Sequence, residues 1–165
     1  MSSTAYLGLS SKYGDRAANL VRALSALVIG DIRVGGASSI YEVVSESDEP
    51  SPLVWVVNIV APRLEAFSLF NYCQATETRV GRKGMMEQGI KPVDIELLLL
   101  DSNIVEDVRK GVEVILPHPS LHRQRTYLMP LAEVAPAGKH PVLKETFATL
   151  LDTVEDAREV RIYRG

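Results

Sequence analysis

The order in which strand and helix patterns follow one another is the feature that most limits what this chain can fold into. A short β-type run, TAYLGLS, precedes a helical pattern over residues 16–28. Next come DIRVGGASSIYEVV, a strand interrupted by two glycines, and LVWVVNIVAP, a strongly β-branched strand. A second helical pattern over 63–79 and the apolar run DIELLLL complete the series. This β-α-β-β-α-β order predicts the α+β class, a ferredoxin-like α/β sandwich in which helices flank a central antiparallel sheet.

Both helical patterns carry start signals and an apolar face. Asp15 is expected to cap the first helix, and Pro62 fits the first turn of the second. Ala66, Phe70 and Cys73 share one face of the second helix, which predicts a buried thiol. The apolar residues of the first helix recur at helical spacing: Ala17, Leu20, Val21, Leu24 and Leu27.

Extra elements are expected at the C-terminal end. HRQRTYLMPLAEVAP predicts a short helix ending near Pro136, HPVLKETFATLLDTV a final helix, and EVRIYR an edge strand. In the strand that follows the first helix, Gly35-Gly36 predicts a β-bulge. A chain of 165 residues fits one domain with a sizeable core, so a single domain over 1–165 is expected.

Charge and hydropathy exclude several classes of partner. A net charge of −3 gives no electrostatic basis for binding nucleic acid or an anionic membrane. No run approaches the roughly 20 apolar residues that span a bilayer, and MSSTAYLGLSSKYGD lacks the features of a secretory signal. The single cysteine excludes an internal disulfide. The sequence therefore predicts a cytoplasmic protein, a monomer or weak dimer, whose partners are small molecules.

Two carboxylates stand at the head of the last strand of the series, in KPVDIELLLLD. On a strand, residues i and i+2 point the same way, about 6.6 Å apart, so Asp94 and Glu96 face one space. Hard cations such as Mg²⁺ prefer oxygen ligands and often complete their shell with water or substrate phosphates. The alternative is a pair of solvated acids at a strand end, and the D-x-E spacing alone does not decide between them.

Cationic and conformationally restricted residues surround this pair in the sequence. The segment GRK and Lys91 place positive charge before the acids, in a glycine-containing loop suited to covering phosphates. This loop, roughly 82–91, is expected to be mobile and to order on nucleotide binding. In LPHPSLH, His118 lies between two prolines, a rigid presentation that a surface histidine does not require. These features favour a phosphate-handling metal site.

Seven segments in order give the chain a resemblance to a known family. They are AYLGLSSKYGDRAANLVRAL, SSIYE, VVNIV, TETRVGR, VDIELLLLD, LPHPSLH and MPLAEVAP, and they span roughly residues 4 to 136. The set resembles the 6-hydroxymethyl-7,8-dihydropterin pyrophosphokinases. The resemblance implies transfer of pyrophosphate from ATP to the hydroxymethyl group of the pterin, with release of AMP.

The resemblance also assigns roles to individual residues. It implies that Asp94 and Glu96 hold two Mg²⁺ ions, with ATP as co-substrate, and that Arg82 and Lys91 act on the phosphates. It places His118 and Arg123 at the nucleotide, and Glu77 at the acid that ends the second helix. The residues that it implies for the pterin are Asn58, Val43, Val44, Val56 and Thr126.

Departures from the family pattern fall at the expected site. On the nucleotide side, D-x-D is D-x-E, Gln88 replaces a tryptophan, and Lys91 replaces an arginine and loses its bidentate fork. Lys12 stands where the family has an asparagine. On the pterin side, the two aromatic walls align with Val56 and Thr126. Each lost stack is worth about 0.5–1.5 kcal/mol beyond area burial.

Other positions near these walls offer partial substitutes. An expected arginine aligns with Gln124, which Arg123 and Arg125 flank. Trp55 is next to the lost aromatic, but strand alternation points it to the opposite face, where core packing is favoured.

Two functions remain open from the sequence. In the first, the chain is a pyrophosphokinase, for the family's pterin or for another acceptor. In the second, it is a weakened or inactive homologue that binds nucleotide or a different pterin as a binding or regulatory module. The partly preserved nucleotide and metal positions favour the first, and the erosion of several site positions within an intact scaffold favours the second.

Overall fold

The structure, a computed structural model, describes residues 2–81 and 89–165. The element order confirms the predicted β-α-β-β-α-β series with additions at the C-terminal end. The elements are β1 (Ser3–Ser11), α1 (Arg16–Leu27), β2 (Arg33–Ala37), β3 (Tyr41–Val43), β4 (Leu53–Ala61), α2 (Ala66–Gly81), β5 (Asp94–Leu100), β6 (Val105–Arg109), β7 (Val112–Leu116), α3 (Arg125–Val134), α4 (Phe147–Thr153) and β8 (Val160–Ile162).

The main sheet has the strand order β5-β1-β4-β3-β8, and β2 pairs with the other end of β4. Every pairing in it is antiparallel. The register of β2 on β4 shifts between Val34 and Gly36, which confirms the predicted bulge. β8 pairs with β3 at the end of this order and confirms the predicted edge strand. The fold is therefore the predicted ferredoxin-like sandwich.

Two cores, one on each face of the sheet, define the layers. The first contains Leu20 and Leu27 of α1 and Leu69 and Cys73 of α2, packed against β1, β4 and β5. The second contains Leu128 of α3 and other residues of α3 and α4 on the opposite face. Each fully buried leucine contributes about 2 kcal/mol relative to exposure, so the helices are held to the sheet mainly by these contacts.

The start of α1 follows the prediction, but its buried face is rotated. Asp15 caps the helix, with its Oδ1 accepting from Ala18 N at 3.2 Å. Val21, predicted on the apolar face, is 53 % exposed. Asn19 is buried instead, because its amide donates to Ser11 Oγ and to Tyr13 O. These hydrogen bonds turn the face toward Asn19 and leave Val21 in solvent.

The second helix begins later than predicted. Pro62 precedes it, and the first turn is capped by Glu65, whose carboxylate accepts from Phe67 N and Ser68 N. Cys73 is 1 % exposed, which confirms the predicted buried thiol, and burial, followed by the charge of Glu77, raises the pKa of this thiol to about 12. Among residues 2–81 and 89–165, no helix has both the length and the apolar character needed to cross a bilayer.

The C-terminal elements differ in extent from the sequence patterns. α3 ends before Pro136, as predicted, and a 3₁₀ turn over Leu121–Arg123 precedes it. The final helix is shorter than predicted: it starts after Thr146, whose Oγ1 accepts from Thr149 N. The earlier part of that segment is not helical, because Lys144 has a φ of 63° and Pro141 lacks a donor.

Candidate active site

The face of the sheet that α3 covers carries the two predicted metal ligands. On β5, Ile95 and Leu97 pack in the first core, so Asp94 and Glu96 point to the opposite face. Across the pairing with β1, Asp94 lies opposite Ser10 and Glu96 opposite Gly8. The two side chains keep 55 % and 46 % of their surface exposed. The structure therefore presents both carboxylates to one accessible space, as the D-x-E spacing predicts.

A buried carboxylate at the end of α2 holds this strand in place. Glu77 Oε1 accepts the N–H of Ile95, the residue between the two acids, at 2.8 Å. Its Oε2 lies 3.2 Å from Lys91 Nζ, which also lies 3.2 Å from Asp94 Oδ1. Burial raises the pKa of Glu77, while the hydrogen bonds from Ile95 and Lys91 act in the opposite direction. Partial burial acts to lower the pKa of Lys91, but the hydrogen bonds to Asp94 and Glu77 outweigh this effect and raise the pKa. Lys91 is thus a cation between two acids.

His118 is joined directly to the second acid. Its Nδ1 accepts from Ser120 N at 3.3 Å, which leaves the proton on Nε2, and Nε2 lies 3.1 Å from Glu96 Oε2. The backbone N–H of His118 donates to Leu98 O on β5. The hydrogen bond from His118 lowers the pKa of Glu96, although burial opposes it. His118 thereby orients the Glu96 carboxylate.

A cavity of about 210 Å³ adjoins this pair beside β5. Its apolar lining includes Phe70 of α2 and Val114 and Leu116 of β7, and Glu96 and His118 also line it. A cavity with apolar walls and a few polar groups is typical of a small-molecule site. His118, which the sequence predicted to contact the nucleotide, is one of its lining residues.

The predicted pterin residues lie on the same face but are mostly covered. Val56 is fully buried, and Thr126, 8 % exposed, has a buried Oγ1 without a hydrogen-bond partner in the described part of the chain. The N–H groups of Val43 and Val44 donate to Pro52 O and Glu159 O. In this conformation neither N–H group is available to a ligand.

Asn58 is held against the bulge of β2. A Cβ on Gly35 would lie 2.1 Å from Asn58 Oδ1, and one on Gly36 would lie 3.1 Å from its Nδ2. No side chain fits at Gly35 while the amide occupies this place, so a glycine is required at that position, and the space at Gly36 is tight. In the sequence, the glycine pair predicted the β-bulge, but it did not predict that the bulge contacts Asn58.

The remaining residues predicted for the nucleotide side make other contacts or lie outside the residues that the structure describes. Arg82 and Gln88 lie outside the described residues, as does the loop apart from residues 89–91. Arg123 is exposed in the 3₁₀ turn. Lys12 pairs with Glu49 in the exposed loop before β4, at 2.7 Å.

The residues on this face fit a magnesium ion that is shared with substrate. In residues 2–81 and 89–165, no group of three or more His, Cys, Asp or Glu side chains could hold a metal by itself. Mg²⁺ is commonly bound by one or two carboxylates, with waters and substrate phosphates in the other positions. Asp94 and Glu96 match that donor set.

Solved structures share the fold. The HPPK-DHPS protein of Plasmodium falciparum matches with a TM-score of 0.73 at 11% identity, over 92% of this chain and 43% of that one. Its A437G/K540E form matches with the same TM-score at 12% identity. At such identity the likeness shows the fold alone, and it places the chain in the class of α+β proteins with a central antiparallel sheet flanked by helices.

Sequence relatives identify the family. The 2-amino-4-hydroxy-6-hydroxymethyldihydropteridine pyrophosphokinase of Bacillus subtilis is 31% identical over 167 residues, which cover 99% of this chain and 92% of that protein. The folic acid synthesis protein fol1 of Schizosaccharomyces pombe is 30% identical over 96% of this chain, which spans only 21% of the yeast protein. The model of the 7,8-dihydro-6-hydroxymethylpterin-pyrophosphokinase family matches residues 6–136. The chain belongs to this family of pyrophosphokinases, which use ATP as co-substrate.

Two features of the site were missed by sequence reasoning. Glu77 was noted only through the family resemblance, and its hydrogen bond to Ile95 N had no local signal. Tyr127, whose ring lies on Gly8, was not predicted at all, although it directly follows the predicted pterin residue Thr126.

Proposed function

We propose that this chain transfers pyrophosphate from ATP to the hydroxymethyl group of 6-hydroxymethyl-7,8-dihydropterin and releases AMP. The observation that carries the proposal is the placement of Asp94 and Glu96 on one accessible sheet face, with His118 hydrogen-bonded to Glu96. The acceptor oxygen would bond to the β-phosphorus of ATP while the bond from that phosphorus to the α-phosphate bridging oxygen breaks. The hydroxyl proton passes to solvent water in the same step, and AMP leaves with the bridging oxygen. No strong base is needed, because positioning and electrostatics dominate such transfers.

Each residue has a defined task in this proposal. Asp94 and Glu96 would hold two Mg²⁺ ions, which supply charge neutralisation for the phosphates. Arg82 and Lys91 would stabilise the developing negative charge, and His118 and Arg123 would contact the nucleotide. The acceptor would be bound by side chains and backbone of five residues: Asn58, Val43, Val44, Val56 and Thr126.

The nucleotide base is assigned to the cavity beside β5. Its apolar walls, Phe70 and Leu116 among them, would bury a flat ring, while His118 holds Glu96 near the phosphates. In this arrangement the base would lie at the β5 edge beside residues of the first core, and the metals and the acceptor would lie on the sheet face that α3 covers. Small-molecule substrates, a cytoplasmic location and a monomer or weak dimer complete the proposal.

The test is AMP release from ATP and Mg²⁺ with and without the dihydropterin. Acceptor-dependent AMP is expected, and Asp94→Asn or Glu96→Gln should each reduce kcat at least about 100-fold, because a metal ligand is lost. Asp31→Asn, at an exposed turn before β2, is the matched control and should leave the rate unchanged. Acceptor-independent or metal-independent AMP release would contradict the proposal.

A binding module is the second candidate, and the full burial of Val56 favours it. A ligand cannot reach this predicted acceptor residue without a rearrangement. A folded protein that binds Mg-ATP, as judged by calorimetry, but releases no AMP with the dihydropterin would support this candidate over the enzyme.

A further inference from the structure

We infer that Ser120 and Gln124 are positioning residues for the metal ligand Glu96, and that they act on it through His118. The four side chains form one chain of hydrogen bonds, which leads from the start of α3 to the acid pair. The inference rests on the proposed function, since it concerns the metal of that same site. In the sequence, Gln124 only marked the position of a missing arginine, and Ser120 was not a candidate at all.

Gln124 determines the direction in which the Ser120 hydroxyl donates. Its Nε2 lies 2.7 Å from Ser120 Oγ. Because an amide nitrogen only donates, the serine oxygen is the acceptor in this contact. The single hydroxyl proton is then left for a different partner. That partner is His118 Nδ1, which lies 3.2 Å from Ser120 Oγ.

Both donors that reach His118 Nδ1 come from Ser120. Besides the hydroxyl, the backbone N–H of Ser120 donates to Nδ1 at 3.3 Å. The position of the ring proton in histidine is set by the hydrogen bond that the other ring nitrogen makes, so an accepting Nδ1 places the proton on Nε2. Nε2 lies 3.1 Å from Glu96 Oε2. Ser120 therefore directs the ring proton of His118 at the carboxylate.

The backbone holds both ends of this chain in place. His118 lies between two prolines, and its N–H donates to Leu98 O on β5. The 3₁₀ turn that follows Ser120, in which Arg123 N donates to Ser120 O at 3.0 Å, brings Gln124 back over Ser120. Gln124 makes no capping bond at the start of α3, so its amide is available to the serine. The side chains are thus joined across two anchored segments.

The end of the chain bears on metal binding. Its last hydrogen bond engages one oxygen of Glu96, so the other oxygen can face the space that Glu96 shares with Asp94. Carboxylates that hold metals are themselves hydrogen-bonded, and loss of such an outer partner costs about 10–100-fold in metal affinity or activity. Gln124 thus has a task of its own at the position where the family resemblance expects an arginine.

The first measurement records the ring-nitrogen chemical shifts of His118 by NMR in the metal-free protein at about pH 8, assigned with His118→Asn. In the wild type and in Ser120→Thr, which keeps the hydroxyl, the proton should be on Nε2. In Ser120→Ala the share of the form with the proton on Nδ1 should rise at least about threefold, because one of two donors to Nδ1 is lost.

The second measurement is the Mg²⁺ dependence of AMP release. Ser120→Ala should raise the Mg²⁺ concentration at half-maximal rate about tenfold, with the KM of the dihydropterin within about twofold of the wild type. Gln124→Met, which keeps the length but donates nothing, should give a smaller rise. Ser120→Ala/Gln124→Met should add little to Ser120→Ala, because both residues act through one chain. Ser120→Thr should restore the wild-type requirement.

Ser102→Ala, in the exposed turn after β5, and Gln74→Met, on the exposed side of α2, are the matched controls. Both should leave the Mg²⁺ requirement and the shifts of His118 unchanged. The inference is overturned if Ser120→Ala leaves either readout unchanged. A parallel rise in the dihydropterin KM would also overturn it, because a general distortion of the site would then be the cause.

Calorimetric binding of Mg²⁺ with a non-hydrolysable ATP analogue separates the inference from the proposed function. Mg²⁺ affinity and a ring-proton position that both depend on Ser120, without AMP release, refute only the proposed activity. AMP release with a Mg²⁺ requirement insensitive to Ser120→Ala refutes only the inference. Absence of Mg²⁺ binding by the wild type refutes both.

Discussion

Glu77 shows how one buried carboxylate sets the position of two others. Its hydrogen bond to Ile95 N fixes the backbone between Asp94 and Glu96, and Lys91 joins it to Asp94. Neither contact touches a substrate, so Glu77 is a positioning residue. Because a small misplacement of catalytic groups lowers rates strongly, its effect should appear in kcat.

Glu77→Ala is expected to lower kcat about 10–100-fold and to raise the Mg²⁺ concentration needed for half-maximal rate. It also leaves the Ile95 N–H unpaired, at a cost of about 2 kcal/mol in the free energy of unfolding. Glu77→Gln retains an acceptor for Ile95 and should lose much less activity. The measurement is the Mg²⁺ dependence of AMP release in both variants. An unchanged Mg²⁺ requirement in a destabilised Glu77→Ala would leave Glu77 with a structural role only.

At the scale of elements, the start of α3 is fixed by a residue from the C-terminal segment. Gln124 makes no side-chain capping bond. Asp156 instead accepts from Arg125 N at 3.0 Å, and its backbone carbonyl accepts from Arg125 Nε at 2.9 Å. Arg158 pairs with the same carboxylate, with Nη2 2.6 Å from Oδ2. This contact holds α3, and with it Thr126 and Tyr127, over the sheet.

Asp156→Asn should therefore destabilise the protein in a pH-dependent way. The hydrogen bonds from Arg158, opposed by burial, lower the pKa of Asp156 to about 2. Since this folded-state pKa is below the unfolded value, the stabilisation is complete above about pH 4 and is lost as the pH falls toward 2. We expect a loss of about 1.5 kcal/mol in the free energy of unfolding at pH 7, measured by urea denaturation, and a smaller loss at pH 3.

Asp152→Asn on the exposed face of α4 is the control for this comparison. An equal difference between wild type and Asp156→Asn at pH 7 and pH 3 would show that the carboxylate charge is not what holds α3.

The elements that the sequence predicted are those with local signals. β1, α1, β4, α2 and β5 follow from periodicity, and the bulge from its glycine pair, because these patterns reflect which face of an element is buried. The hairpin of β6 and β7 was not predicted. Its turn uses Lys110 and Gly111, with φ values of 51° and 79°, and lysine is not a typical residue for such a turn.

The site was predictable where one strand or one rigid segment presents a residue, and not where distant segments meet. Asp94, Glu96 and His118 are of the first kind. Glu77 meets Ile95 over 18 residues, Asp156 meets Arg125 over 31, and Tyr127 covers Gly8 from another layer. Periodicity holds no information on such contacts. The same holds for Val21, which is exposed because Asn19 finds partners on β1 and in the turn after it.

At the scale of the whole molecule, the metals and the acceptor are assigned to one face of the sheet, and the nucleotide base is assigned to the cavity at the β5 edge, which borders the first core. Ligand binding at these places should stabilise the chain as a unit. Mg-ATP at about 100 times its Kd should add about 2.7 kcal/mol, which corresponds to a rise in Tm of roughly 5–10 °C for a chain of this size. Calorimetry should show one transition, as a single domain requires, and EDTA should remove the shift.

Asp94→Asn serves as the control for the metal contribution, and its Tm should respond much less to Mg-ATP. Two separate transitions, of which only one moves with ligand, would contradict the single-domain prediction.

The burial of Cys73 has a practical consequence for labelling chemistry. It is the only thiol of the chain, is 1 % exposed, and has a pKa of about 12. Maleimides and other alkylating reagents attack the thiolate of an accessible cysteine, so the folded chain is inert toward them. A cysteine introduced at an exposed position of α1, such as Val21, would then be the single attachment point for a dye or spin label. The native sequence is thus suited to site-specific probes without prior removal of its own cysteine.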